Sequence, residues 1–103
     1  MVYVIEYKAC RYPYNYWFLR KDGDYITFDS LIKARKKCIS LIKDYTAILA
    51  VVRGGVEQLV YQTVKGNFVL EDRTKNKWYR LNKDGSLGSV ISNIRDLGLI
   101  RSA

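Results

Sequence analysis

The chain contains no histidine. That removes the commonest general base, the usual metal ligand and the Ser-His or Cys-His nucleophile pair. Glu6-Tyr7-Lys8 has the Glu-x-Lys spacing of restriction-like nucleases, which also need an aspartate on an earlier strand, and only five residues precede Glu6. The two cysteines, Cys10 and Cys38, are too few for a disulfide framework or a zinc set. Cys38 falls on an apolar helix face and reads as core, whereas Cys10, beside Arg11, has no identifiable base partner. Asp22 and Asp24 flank Gly23 in a segment that reads as a solvated turn rather than a cation site. Gly54-Gly55 and Gly66 belong to hairpin turns and do not precede a helix, so no glycine-rich phosphate loop is present. No set of acid, base and nucleophile can be assembled, and no cofactor or metal is implied. The chain reads as a binding protein, not an enzyme.

What it would bind follows from charge. Eighteen Lys and Arg against ten Asp and Glu give a net charge of +8 and a pI near 9.6. A folded domain with this field attracts polyanions, of which nucleic acid, DNA or RNA, is the most abundant in a cell. Three basic surfaces can carry the contact. Lys33, Lys36, Lys37 and Lys43 form a helix stripe suited to phosphates. RTKNKWYRLNK, residues 73 to 83, has five basic residues and no acidic one. If it is extended, Arg73, Lys75, Lys77 and Tyr79 share one face, while Trp78 and Arg80 take the other. The opening stretch RYPYNYWFLR supplies Arg11, Tyr12, Tyr14, Tyr16 and Arg20. Rings interleaved with cations suit a single-stranded site, because every base has a π-face and every nucleotide a charge. The same residue types are enriched at protein-interface hot spots. The second reading is therefore a protein-interaction module, such as a small inhibitor or accessory protein of a mobile genetic element, acting on an acidic or nucleoprotein partner.

These residues need elements to hold them. Residues 2 to 9 and 14 to 20 are rich in β-branched and aromatic side chains and read as strands, followed by a Lys21-Asp22-Gly23 turn and a short strand, Tyr25 to Phe28. Asp29 or Ser30 then caps a helix with Leu31, Ala34, Cys38, Leu41, Ile42 and Tyr45 inward, its face widened by Ile32 and Ile39. Arg35 falls inside this apolar arc, where it needs a carboxylate or must reach out to water. Tyr45 to Arg53 is apolar on both faces and suits a central strand. Val56 to Val64, Phe68 to Asp72 and Lys77 to Asn82 follow as strands separated by glycine turns. Ser89 is placed to cap a short final helix carrying Val90, Ile91, Ile94 and Leu97, with Gly98 as its stop. The expected fold is one α+β domain spanning 1–103. Its mainly antiparallel sheet, in the order β-β-β-α-β-β-β-β-α, is packed by one amphipathic helix and a short C-terminal helix.

Two stretches also read alike. Val4-Ile5-Glu6, Asn15-Tyr16-Trp17-Phe18, Lys21-Asp22-Gly23 and Ser30-Leu31-Ile32 match Val69-Leu70-Glu71, Asn76-Lys77-Trp78-Tyr79, Lys83-Asp84-Gly85 and Ser89-Val90-Ile91. A duplicated ββα unit would place Trp17 in the core. An edge strand such as Val56 to Val64 would be free to pair across a homodimer. No apolar run reaches the roughly 20 residues that span a bilayer. The opening MVYVIEYK lacks the features of a signal peptide, so a cytoplasmic protein with no membrane partner is expected.

Overall fold

At residue 31 the apolar spacing changes from alternation to threes and fours, and there the backbone turns from strand into helix. In the computed structural model, which describes residues 2–9, 16–44, 48–95 and 97–99, helix α1 runs Leu31–Asp44. Ser30 caps it: the Ala34 amide donates to the Ser30 carbonyl at 3.1 Å, and the Lys33 amide points at Ser30 Oγ at 3.5 Å. Asp29 pairs with Lys33 one turn on, at 3.1 Å, and Lys43 stands in the last turn, where the helix dipole favours a cation.

The strands are β1 (Val4–Ala9), β2 (Tyr16–Phe18), β3 (Arg20–Lys21), β4 (Asp24–Tyr25), β5 (Ile48–Arg53), β6 (Glu57–Gln62), β7 (Phe68–Asp72), β8 (Lys77–Leu81) and β9 (Leu87–Ile91). Seven of them form one sheet in the order β2-β1-β5-β6-β7-β8-β9, and β3 and β4 make a small separate hairpin. Every neighbouring pair is antiparallel. The α+β character and the antiparallel sheet agree with the sequence pattern. Among the described residues no helix is long and apolar enough to cross a membrane.

Helix α1 lies across β1, β5 and β6. Between them Ile5, Ala34, Cys38, Ile42, Ala50, Val52, Val60 and Leu70 are buried, each large aliphatic side chain contributing about 1.5–3 kcal/mol of transfer free energy. The opposite face has its own small core of Val51, Leu59, Tyr61 and Val69, flanked by Trp78, Ile91, Leu97 and Leu99. Leu99 bridges Thr63, and the Val64 amide donates to the Gly98 carbonyl at 2.8 Å, so residues 97–99 fold back on this face. Burial on both faces makes β5 the central strand its composition implied.

Four expectations are corrected. Among the described residues no C-terminal helix forms: Ser89, Val90 and Ile91 belong to β9, and Ile94 is exposed. The β8–β9 hairpin decides this, because Leu87 pairs with Leu81 and Val90 with Tyr79, giving the segment backbone partners a lone short helix would lack. The strand order therefore ends β-β-β-β-β after α1. Second, residues 73–76 are a turn, so Arg73 and Lys75 do not continue the face of Lys77 and Tyr79; Trp78 and Arg80 do share the other face. Third, β6 lies inside the sheet, and the edges are β2 and β9. Fourth, the duplicated unit fails in register as well as in its last element. Trp17 stands opposite Tyr7, on the row of Ala50 and Val60, whereas Trp78 stands opposite Glu71, on the row of Leu59. Adjacent rows point to opposite faces, so the two tryptophans face opposite sides of the sheet. Trp17 is also 40% exposed, stacked on Tyr7 with ring centroids 5.4 Å apart instead of being buried, because β2 is the edge strand and α1 does not reach over it.

Candidate functional site

Arg35 shows how the helix is tied to the sheet. Its side chain is 7% exposed, and its Nε donates to Gln58 Oε1 at 3.0 Å. Gln58 passes the contact on, its Nε2 donating to Asp72 Oδ2 at 3.1 Å, and Asp72 Oδ1 accepts the Lys75 amide at 3.0 Å. The carboxylate that Arg35 requires is thus reached through one intervening amide. Burial lowers the Arg35 pKa from its ordinary value, and the Asp72 charge opposes that effect.

The other arm of Arg35 fixes the β8–β9 turn. Arg35 NH1 donates to the Gly85 carbonyl at 3.4 Å. Gly85 has φ +92°, and a Cβ there would collide with the Ile32 carbonyl oxygen, so the turn sits flush on the helix backbone. Ile32 itself is exposed rather than part of the apolar face. The turn is held internally as well. Asp84 Oδ1 accepts from the Ser86 amide at 2.9 Å and from its hydroxyl at 2.6 Å, and Asn82 Nδ2 donates to Ser86 Oγ at 2.9 Å. Those Ser86 hydrogen bonds lower the Asp84 pKa, and the nearby Lys36 charge adds to the effect.

Docking this turn against α1 creates a groove of about 400 Å³, lined on the helix side by Lys36, Ile39, Ser40 and Lys43 and on the sheet side by Gln62, Gly66, Phe68 and Lys83. A second recess of about 270 Å³ shares Phe68 and Lys83 and adds Arg80, with Asn67, Leu81 and Asn82. The groove lies at the end of the sheet where β6, β8 and α1 finish and β7 and β9 begin, whereas Arg80 stands on the row of Val69 and Tyr61, on the face away from α1. Among the described residues Lys36, Lys43, Arg80 and Lys83 form no ion pair, and Asp84 is the carboxylate beside them. Glu6, Glu57 and Glu71 are engaged elsewhere. They pair with Arg53 and Arg73 at 3.2–3.7 Å, and Tyr61 donates to Glu71 at 3.2 Å.

The residues singled out from sequence separate accordingly. Lys36 and Lys43 reach the groove, whereas Arg80 lines only the second recess and stands on the face away from α1. Lys33 is paired with Asp29. At 3.6 residues per turn Lys37 stands about 100° around the helix from Lys36, off the groove wall. Arg73 is held by Glu57 and Glu71, and Lys75 and Lys77 are exposed around the β7–β8 turn, at the opposite end of the sheet. Arg20 lies over the Tyr25 ring, 4.5 Å from its centroid, and donates to the Tyr25 hydroxyl at 3.0 Å. Arg11, Tyr12 and Tyr14 lie outside the described residues, as does the side chain of Tyr16, whose backbone belongs to β2. Cys38 is fully buried and its thiol is pushed up to about 12 by burial, consistent with core.

Lys83 was missed as a site residue, with Gln62, Phe68, Asn67 and Asn82. The signal for Lys83 was present, since a basic residue beside a glycine turn projects from the sheet end. Nothing local says that the turn faces the helix. Compared with protein-family models, curated proteins and solved structures, the chain matches none.

Proposed function

We propose that the chain is a non-enzymatic nucleic-acid-binding domain whose groove between α1 and the β8–β9 turn receives a phosphate backbone. One observation carries the reading. Basic side chains from two separate elements, Lys36 and Lys43 on α1 and Lys83 in the β8–β9 turn, line one groove. Lysine and arginine at such a surface release counterions from the backbone they neutralise.

Three phosphate contacts on a duplex give a log–log salt slope of about −2.7, which is a loss of about 40-fold in affinity between 50 and 200 mM salt. Fluorescence anisotropy on labelled DNA and RNA at several salt concentrations measures it. Lys36→Glu/Lys43→Glu/Lys83→Glu abolishes the binding, whereas Lys37→Glu and Lys75→Glu/Lys77→Glu leave most of it. Absence of binding to either nucleic acid at about 50 mM salt, or equal loss in all three variants, sinks the proposal. Recovery of one defined protein in a pull-down that survives nuclease digestion would favour the protein-partner reading instead.

A further inference from the structure

We infer that the groove grips phosphates without reading bases, so that the protein binds nucleic acid independently of sequence. This deepens the nucleic-acid reading above and rests on it.

Among the described residues the groove offers no ring for stacking. The one aromatic residue among them that lines it, Phe68, is 6% exposed and belongs to the core beneath the floor. The large exposed rings among the described residues, Trp17 at 40% and Tyr25 at 50%, lie on β2 and β4. β2 is three strands from β6, about 14 Å at the usual strand spacing, and α1 lies between. Tyr25 has Arg20 over its ring and the Phe18 ring edge-on at 5.4 Å.

Shape gives a second reason. Base edges in a duplex are read by a protruding helix or ribbon that enters the major groove. A concave surface whose basic groups stand on both walls receives a backbone instead. Lys36 and Lys43 are seven residues apart on one side of α1, about 10 Å along its axis, which matches about three 3.4 Å steps of one strand. Lys83 stands on the sheet side. Asn82, the type of side chain that reads adenine, already has its amide nitrogen donating to Ser86.

The test uses the full chain and anisotropy at 50 mM salt. The probes are 20-mers of dT, of dA, of mixed sequence, and an abasic strand that keeps the sugar-phosphate chain without bases, with AT-rich and GC-rich duplexes beside them. Sequence-blind binding appears as affinities within about threefold within each strandedness class, with the abasic strand inside the single-strand range and tryptophan emission unchanged on binding. Lys36→Glu/Lys43→Glu lowers all affinities by a common factor, and Trp17→Ala and Tyr12→Ala/Tyr14→Ala change none. A tenfold or greater loss on the abasic strand, or loss with either aromatic variant, overturns the inference while leaving nucleic-acid binding intact. Failure of every probe to bind overturns the nucleic-acid reading and this inference together.

Discussion

Lys-Asp-Gly occurs twice, at residues 21 to 23 and 83 to 85, and both glycines have positive φ, +86° and +92°. Locally the two turns ask for the same thing, yet alanine is expected to affect them very differently. An L-residue in the left-handed region costs about 1–2 kcal/mol, and replacing glycine returns about 0.4–1 kcal/mol through the unfolded chain. At Gly23 nothing lies within 4 Å of an added Cβ, so Gly23→Ala should destabilise by only about 1 kcal/mol. At Gly85 the methyl meets the Ile32 carbonyl and the Lys36 amide, which are backbone atoms inside a helix and cannot give way. The turn must lift off, and Arg35 loses its bond to the Gly85 carbonyl in a buried setting, about 1.5–3 kcal/mol for a bond to a charged group. Gly85→Ala should therefore cost about 3–4 kcal/mol in total, or about 12–25 °C in Tm for a domain of this size. Urea unfolding followed by tryptophan fluorescence and circular dichroism measures both variants. Gly85→Ala should also weaken nucleic-acid binding, because Lys83 moves with the turn, while Gly23→Ala should not. If the two variants unfold within about 0.5 kcal/mol of each other, the docking argument is wrong.

Gln58→Leu leaves Arg35 and Asp72 without the amide that joins them and should cost about 3–5 kcal/mol; adding Arg35→Met should cost less than the sum of the single changes by more than about 1 kcal/mol in a urea-denaturation cycle, and strict additivity would refute the relay. Cys38 carries a folded-state thiol pKa of about 12 against an ordinary 9.0, so the unfolded chain releases that proton first and stability falls as pH rises through this window. At pH 10.5 the loss from this group is about 2 kcal/mol relative to pH 8, and Cys38→Ala should remove that part of the slope in urea titrations at the two pH values. In a Cys10→Ser background, iodoacetamide should label the native protein at pH 8.5 no faster than global unfolding allows.

The helix was legible because several signals agreed: a capping serine, an apolar face at threes and fours, and lysines opposite. Arg35 was legible too, as a charge inside that face, although its link to Asp72 through Gln58 spans residues distant in sequence. The C-terminal segment misled because Ser89 before Val90 and Ile91 fits a helix cap and an edge strand equally well. The pairing with β8 that decides it is not written locally. In RTKN the lysine and arginine drew attention to charge, while the turn signal lay in Asp72, whose carboxylate accepts the Lys75 amide, and in Asn76, which takes φ +56°. Trp17 does stand on the row of Ala50 and Val60, the face that α1 covers further along the sheet. Burial depends on how far α1 extends across the sheet, which no spacing within residues 14 to 20 records.

The same limit explains why a lysine stripe was too coarse a description of a binding surface. Lys33, Lys36, Lys37 and Lys43 are alike in chemistry and all exposed, and the helical period spreads them over about 120° of the surface. Lys36 and Lys43 differ by only about 20° and stand on the flank where the β8–β9 turn docks; Lys37 stands about 100° away from Lys36. A cation on a bare helix face meets a phosphate from one side and keeps most of its water. One facing a second wall that carries Lys83 acts on the same backbone as its neighbours, and such a field adds over the site. That second wall depends on a glycine 49 residues from Lys36 and on a buried arginine one residue before it. The affinity of the surface is therefore coupled to the packing of the fold, and changes at Arg35, Gln58 or Gly85 should weaken binding without removing a single positive charge from the groove.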